Sequence, residues 1–474
     1  MAYSSITKPN DHFETVTYAG DGNTTQAITA NFQTDFSWIK HRGTTAAHTL
    51  QDCIRGFDLT KKLSSNENDA ENDSSGATWE NYGGVTAAAA TSFTVSRGSN
   101  TPYQTNASGA NYVAWNWLAA GTTPSKTYVV KVVSDSGNKY RFDDFGSSAV
   151  TLELSEGGTF RFDQSDSSNS GHPLRFSTTA NGTHGGGSEY TTGVTTSGTP
   201  GSSGAYTEIT VAASAPTLYY YCTQHSGMGG QANTPTTNSF TNLDGAIQSN
   251  ISPNTTAGFS IVTWTADGSN SNGVGHGLGA APDLSIYKKR SNAGSWYAWF
   301  NGTIDGSQDY IKLETTDAKS DINTGTSGTP SSTTISNFGF TDTHTMIAYC
   351  FKSKKGYSRV GVYTGNGNAN GAFIYTGFKP AWVLVKNSTS GSHSWLLFDN
   401  QRDPINPANQ LLMPNQNSAE SETANEVDFL SNGFKMRGTG TDSNESGSSI
   451  VYIAFAENPF VANDSGTAIP TTAG

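Results

Sequence analysis

Three stretches of the chain repeat one another, and this limits the fold more than any other feature. They are "HFETVTYAGDGNTTQAITANFQTDFSWIKHRG" (12–43), "GFSIVTWTADGSNSNGVGHGLGAAPDLSIYKKRS" (258–291) and "GYSRVGVYTGNGNANGAFIYTGFKPAWVLVKNST" (356–389). Each has a strand pattern ending in an aromatic (Tyr18, Trp264, Tyr363), a Gly/Asn/Asp turn, and a second strand pattern ending in a lysine (Lys40, Lys288, Lys386). The aromatic and the lysine stand 22, 24 and 23 positions apart. Each unit closes on a further aromatic strand, "NYVAWNW" (111–117), "TMIAYCF" (345–351) or "IVYIAF" (450–455), with Ala114, Ala348 and Ala454 at matching places. A period of about 100 residues is too long for a solenoid and suits a complete sandwich of about seven short strands. The shared lysines are expected to be exposed strand residues whose stems cover aromatic neighbours.

Composition supports this class. Only 14% of residues are charged and 34% hydrophobic, while glycine numbers 52 of 474. Aromatics fall in short alternating runs such as "SWYAWF", separated by Gly, Asn, Asp and Ser, as in proteins of many short strands. The run "VTAAAATSF" (85–93) reads either as one helical turn or as a strand of small residues. A formal charge of −12 argues against duplex nucleic acid and against an anionic membrane as partners. No apolar run approaches the roughly 20 residues of a spanning helix, so membrane insertion is not expected. The first residues lack a secretory pattern, and Cys53, Cys222 and Cys350 are too few and scattered for a disulfide framework. Synthesis in a reducing host cytoplasm is the expectation, with display outside the cell following assembly and release.

The pieces "FSWIKHRGTTAAHTLQDCIRG", "NYVAWNWLAAG", "GFKPAWVLVKN" and "YIAFAENPF" resemble the sandwich modules of structural proteins from marine bacteriophages, cyanophages in particular. The resemblance covers most of 12–121 and 258–460. It implies a virion protein that contacts other virion proteins and does not say which part of the particle it builds.

Between the first two repeats, from about Thr123 to Pro235, the composition changes. Alternating stretches "KTYVVKVV", "KYRFDDF" and "AVTLELSEGGTFRFDQ" lead to "GHPLRFSTT" (171–179), "AYTEITVAA" (205–213) and "TLYYYCTQHSGMGG" (217–230), which together read as one further sandwich. Cys222, His225 and Met228 form C-x2-H-x2-M, so a single strand-end loop can bring three donors to one ion. An electron-transfer copper site needs two imidazoles, a thiolate and a weak axial thioether. His172, heading the apolar strand "PLRF", is the candidate for the remaining imidazole. The insert resembles the cupredoxin family, which includes plastocyanin and amicyanin. That resemblance implies a Greek-key sandwich with His172 and His225 as imidazole ligands, Cys222 as thiolate and Met228 as axial ligand. Copper, a metal-free scaffold with Cys222 and Met228 as core residues, and zinc or another ion all remain open. His184, on a Gly-rich loop, is expected to face solvent.

The expected fold is all-β: tandem, jelly-roll-like β-sandwich modules with an inserted cupredoxin-like Greek-key sandwich. The units run 1–122, 123–235, 236–355 and 356–474. The nine histidines form no His-x-His pair, as a multicopper oxidase would need, and no nucleophile elbow, P-loop or zinc-protease motif occurs. The pair Asp143-Asp144 is expected to be solvated rather than hydrolytic, and Trp296, Trp299 and Trp395 to be core rather than sugar platforms. The function expected is that of a non-enzymatic virion surface protein, oligomeric, in a tail fibre or appendage that attaches to host glycan or receptor. Three sandwiches in a row would make an elongated rod. A head decoration is the alternative, and a copper-binding or electron-transfer protein is the reading from another class.

Overall fold

The computed structural model describes residue 4 and residues 6–457, apart from 75–76, 122, 324–326 and 339–341. The regular secondary structure of the described residues is overwhelmingly β-strand. Each repeat builds the same four-stranded antiparallel arrangement. In the first the order is Phe13–Ala19, Asn111–Trp117, Phe36–His41, Thr49–Asp52. In the second it is Phe259–Thr265, Thr345–Phe351, Leu284–Lys289, Tyr297–Asn301, widened by two strands on each side. In the third it is Ser358–Thr364, Ser449–Phe455, Trp382–Asn387, Leu396–Asp399. A second layer covers each sheet; in the third repeat this layer is Phe373–Tyr375, Gly433–Met436, Ser421–Leu430 and Ala408–Leu411. The run at 85–93 belongs to a hairpin of Gly84–Ala89 with Ser92–Ser96, which resolves it as strand.

The closing strands are apolar on both faces, and each face has its own destination. Tyr112 and Ala114 point into the first repeat's own sandwich, as Ile450, Tyr452 and Ala454 do in the third. Val113, Trp115 and Trp117, with Ile347, Tyr349, Phe351, Val451, Ile453 and Phe455, point the other way into one core shared by all three repeats. A strand buried on both faces reads as an unbroken apolar run. This overturns the expected rod: the repeats do not string out end to end but close around a common centre. A residual cavity of about 20 Å³ among Phe36, Trp117, Tyr349, Trp382 and Phe455 is lined by apolar surface. It is no larger than one water and offers no polar partners, so it is dry.

Equivalent contacts run round this ring. Asn417 O accepts from Ala46 N (2.8 Å) and Asn68 O from Gly294 N (2.7 Å). Glu420 N donates to Arg42 O, Glu71 N to Arg290 O and Lys319 N to Ser388 O. Side chains repeat the relation. His48 Nε2 meets Met413 O, Trp296 Nε1 donates to Ser64 O, and Trp395 Nε1 donates to Lys312 O. The first repeat therefore abuts the third, the second abuts the first, and the third abuts the second. Trp296, Trp299 and Trp395 are all buried, as expected of core residues.

The lysines depart from expectation. Lys40, Lys288 and Lys386 have no exposed surface. They follow Phe36 and Trp38, Leu284 and Ile286, and Trp382 and Leu384 on the face turned to the centre. Lys40 Nζ donates to His41 O and to Asn417 O of the third repeat, and Lys288 Nζ to Gly294 O and to Asn68 O of the first. Lys386 Nζ donates to Asn387 O (2.6 Å). The neighbouring repeat supplies the cover that a single unit lacks, so the stem and the amine are both enclosed. Burial pushes Lys40 down to about 7, and Lys288 and Lys386 down to about 8, against the partial opposition of nearby carboxylates. An unfolded lysine holds its proton to about 10.4. Between about pH 7 and 10 the unfolded chain therefore binds more protons at these positions, and stability rises with pH across that window. Lys40→Met is expected to flatten this rise in urea melts at pH 7, 8 and 9; an unchanged slope would show that Lys40 stays charged when folded.

A buried asparagine clasps the turn after each first strand. Asn106 Nδ2 donates to Asp21 Oδ1 and Asn23 O, Asn337 Nδ2 to Asp267 Oδ1 and Ser269 O, and Asn444 Nδ2 to Asn366 Oδ1 and Asn368 O. Asp and Asn favour such turns because they bond backbone groups two residues on, as Asp21, Asp267 and Asn366 do here.

Candidate metal centre

The insert packs two five-stranded sheets face to face. One has the order Asn138–Phe142, Ser125–Ser134, Thr159–Asp163, Tyr206–Thr210, Val194–Ser197. The other has the order Leu152–Glu153, Gly230–Asn233, Leu218–Cys222, Leu174–Ser177, Glu189–Tyr190. Strict alternation sends Tyr128, Val130, Phe160, Phe162, Leu174, Phe176, Leu218, Tyr220 and Cys222 inward. The same core continues through Phe240 and Ile251 into the outer face of the second repeat's sheet.

Cys222 ends its strand fully buried, directly opposite Leu174. His172 lies two residues before Leu174, and its backbone is fixed on three sides. Tyr140 Oη (2.9 Å) and Gln164 Nε2 (2.8 Å) donate to its carbonyl, and its own N–H donates to Asn169 O (2.8 Å). His225 is exposed on the loop after Cys222. Asn181 holds that loop: its Oδ1 accepts from Gly227 N (2.7 Å) and its Nδ2 donates to Ser226 Oγ (2.8 Å).

Cys222 Sγ lies 3.8 Å from His172 Nδ1 and 3.8 Å from His225 Nδ1. The three donor atoms all fall within 4.8 Å of one another, and the two imidazole centroids are 4.5 Å apart. Metal–sulfur and metal–nitrogen bonds of about 2.3 and 2.0 Å, opened to a trigonal angle of about 120°, would separate S and N by about 3.7 Å. The observed spacing therefore fits one ion between thiolate and imidazoles. Burial, and then the neighbouring His225, lower the pKa of His172, which favours the neutral imidazole that can bind a metal. Met228 is 1% exposed in the core that also holds Cys222, and its carbonyl accepts from Tyr140 N (2.9 Å).

His184 is exposed, as expected of its loop, yet its Nε2 lies 3.1 Å from the carbonyl oxygen of Cys222. Tyr140, Gln164 and Asn181 carry no spacing signal; only the inward phase of Tyr140 in "KYRFDDF" was readable. Asp143 and Asp144 pair with Lys126 (2.9 Å) and Lys131 (2.7 Å).

The fold and the site together describe an all-β protein in which three sandwich repeats share one core and a fourth sandwich carries a His–Cys–His cluster. The chain belongs to a family described as a domain of unknown function (DUF7483), whose model matches residues 8–140 and 225–459. The unmatched stretch, 141–224, contains His172 and Cys222. No curated protein and no solved structure matches the chain.

Proposed function

We propose that this chain is a non-enzymatic surface component of a bacteriophage particle that takes part in attachment to the host. The observation that carries the reading is the closed ring of three repeats, which agrees with the resemblance of its repeated segments to virion modules. Burying one face of every repeat in a common centre, with hydrogen bonds across each boundary, suits a part that must keep its shape outside a cell. The lobed, closed body fits the head of a tail appendage better than the shaft of a fibre, and a capsid decoration is the alternative placement. Other virion proteins and further copies of the chain are its proposed partners. Gold-labelled antibody on intact particles tests this: label at tail tips supports the appendage, label over the capsid supports decoration, and unlabelled particles overturn both.

A second reading rests on the insert. His172, Cys222 and His225, with Met228 on the same loop, would hold a copper ion. Bound there, copper would supply one-electron redox chemistry in a site of limited rearrangement. The chain's own part is to fix His172 through Tyr140, Gln164 and Asn169, and His225 through Asn181. Adding Cu(II) is expected to bind one equivalent with an intense visible band, lost in Cys222→Ser. A ligand present at a hundredfold excess over its Kd stabilises the native state by about 2.7 kcal/mol, which a thermal melt reads directly. No band and no shift in melting temperature would leave the insert a metal-free scaffold.

A further inference from the structure

The second residue of each opening strand occupies one place in the fold. It is Glu14, Ser260 or Arg359, opposite Asn116, Cys350 or Ala454. In the first repeat the Glu14 carboxylate accepts from Asn31 N (3.1 Å), and in the second Ser260 Oγ donates to His276 O (2.7 Å). These bonds tie the opening strand to the second layer. In the third repeat the place is taken by an exposed arginine. A groove of about 420 Å³ lies there, between Ser353–Lys355, Ser358–Val360 and the segment Tyr375–Gly377.

The groove is cationic in an acidic protein. Lys354 and Arg359 make no ion pair among the described residues, whereas the adjacent Lys352 is neutralised by Asp283 at 2.7 Å. Burial and the charge of Lys352 lower the pKa of Lys354, so the amine sits where an anion would relieve it. Tyr375 lines the groove and is 52% exposed, and Phe373, on the same face of its strand, is 48% exposed. Two cations beside an aromatic face in a pocket of this size match a small acidic ring compound. An added peptide strand is disfavoured, because the outward groups of Ser358 and the outward N–H of Val360 are already used. Ser358 exchanges hydrogen bonds with Lys354, and Val360 N donates to Ser353 Oγ.

We propose that this groove binds an acidic saccharide, a uronate-bearing glycan, with its carboxylate on Arg359 and Lys354 and its ring face on Tyr375. The inference rests on the attachment reading above and names the class of receptor.

Calorimetric titration of the full chain with trigalacturonic acid, its neutral methyl ester and hexaglutamate tests the assignment. Saturable binding of the acid is expected, weakened by salt, with the ester and hexaglutamate at least tenfold weaker. Arg359→Ala should lower affinity about tenfold or more, the loss of one charged hydrogen-bonded contact. Tyr375→Ala should also weaken binding, while Tyr375→Phe retains it. A thermal melt establishes that each variant is folded. No uronate binding, equal binding of acid and ester, equal or tighter hexaglutamate binding, or a folded Arg359→Ala variant of unchanged affinity would each overturn the proposal. Particle labelling needs no ligand, so labelled particles without uronate binding would sink the receptor class alone.

Discussion

Asp52→Ala is expected to destabilise the protein by about 3–5 kcal/mol, because it leaves a buried guanidinium without its closest counter-charge. Asp52 Oδ2 accepts from Arg55 Nε (2.6 Å) and from Tyr349 Oη of the second repeat (2.9 Å), and Asp52 and Arg55 are both fully buried as side chains. Arg55 also reaches Glu71 (3.0 Å), which in turn binds Arg290 across the boundary (2.9 Å). Burial opposes the Arg55 charge; Asp52, Tyr349 and Glu71 outweigh it and hold the guanidinium above its ordinary value. The same device recurs between the first and third repeats. Arg402 pairs with Asp399 (2.5 Å) and Glu420 (2.8 Å), Glu420 pairs with Arg42 (2.6 Å), and Trp115 Nε1 donates to Asp399 Oδ2 (3.0 Å). At the third boundary the matching positions are Phe300 and Ile453, both in the shared core. Urea denaturation checks the expectation, and Asp52→Ala combined with Arg55→Met should regain most of the loss. A single-variant cost under about 1 kcal/mol would mean that the network contributes little.

Trp117→Ala should cost a similar amount, about 3–5 kcal/mol, through cavity formation. It should do so for all three repeats together. The Trp117 ring lies 5.0 Å from Phe13 and 5.2 Å from Phe36 in its own repeat, 6.4 Å from Phe259 and Phe351 in the second, and 5.8 Å from Trp382 and 5.6 Å from Phe455 in the third. Calorimetry of the variant should show the three-repeat body melting earlier in one transition. Three separate transitions would show that each repeat folds independently and that the common centre is a weak contact. The indole N–H of Trp117 is buried without a described partner. Trp117→Phe should therefore cost much less than the alanine change, since no hydrogen bond is lost.

Much of the fold was readable from order and spacing, because each repeat carries the same aromatic, turn, lysine and closing strand. What stayed hidden was the use of the second face. In "NYVAWNW" both phases of the alternation are apolar, so the sequence announces two buried faces without saying that Trp115 and Trp117 meet other repeats. Lys40 is hidden for the same reason. A lysine ending an apolar strand reads as solvent-facing, and the carbonyl of Asn417 that covers it lies 377 residues away. At the candidate metal centre, Cys222 and His225 are local to one loop and were legible from spacing. His172 came from its place before an inward strand. Tyr140, Gln164 and Asn181, which hold the donor-bearing segments, act mainly through backbone groups and leave no motif.

The insert leaves and rejoins the body at nearly one point. Thr159 N donates to Pro124 O, and Glu156 N, three residues earlier, donates to Pro235 O, so the ends of the excursion are gathered by the same turn. A loop whose two stems stand side by side can grow, shrink or be swapped without altering the spacing of what it leaves behind. The close stems leave the ring free to keep its shape whatever the module's length, while Tyr128 Oη on Thr241 O and the core shared with the second repeat lock the present module against it.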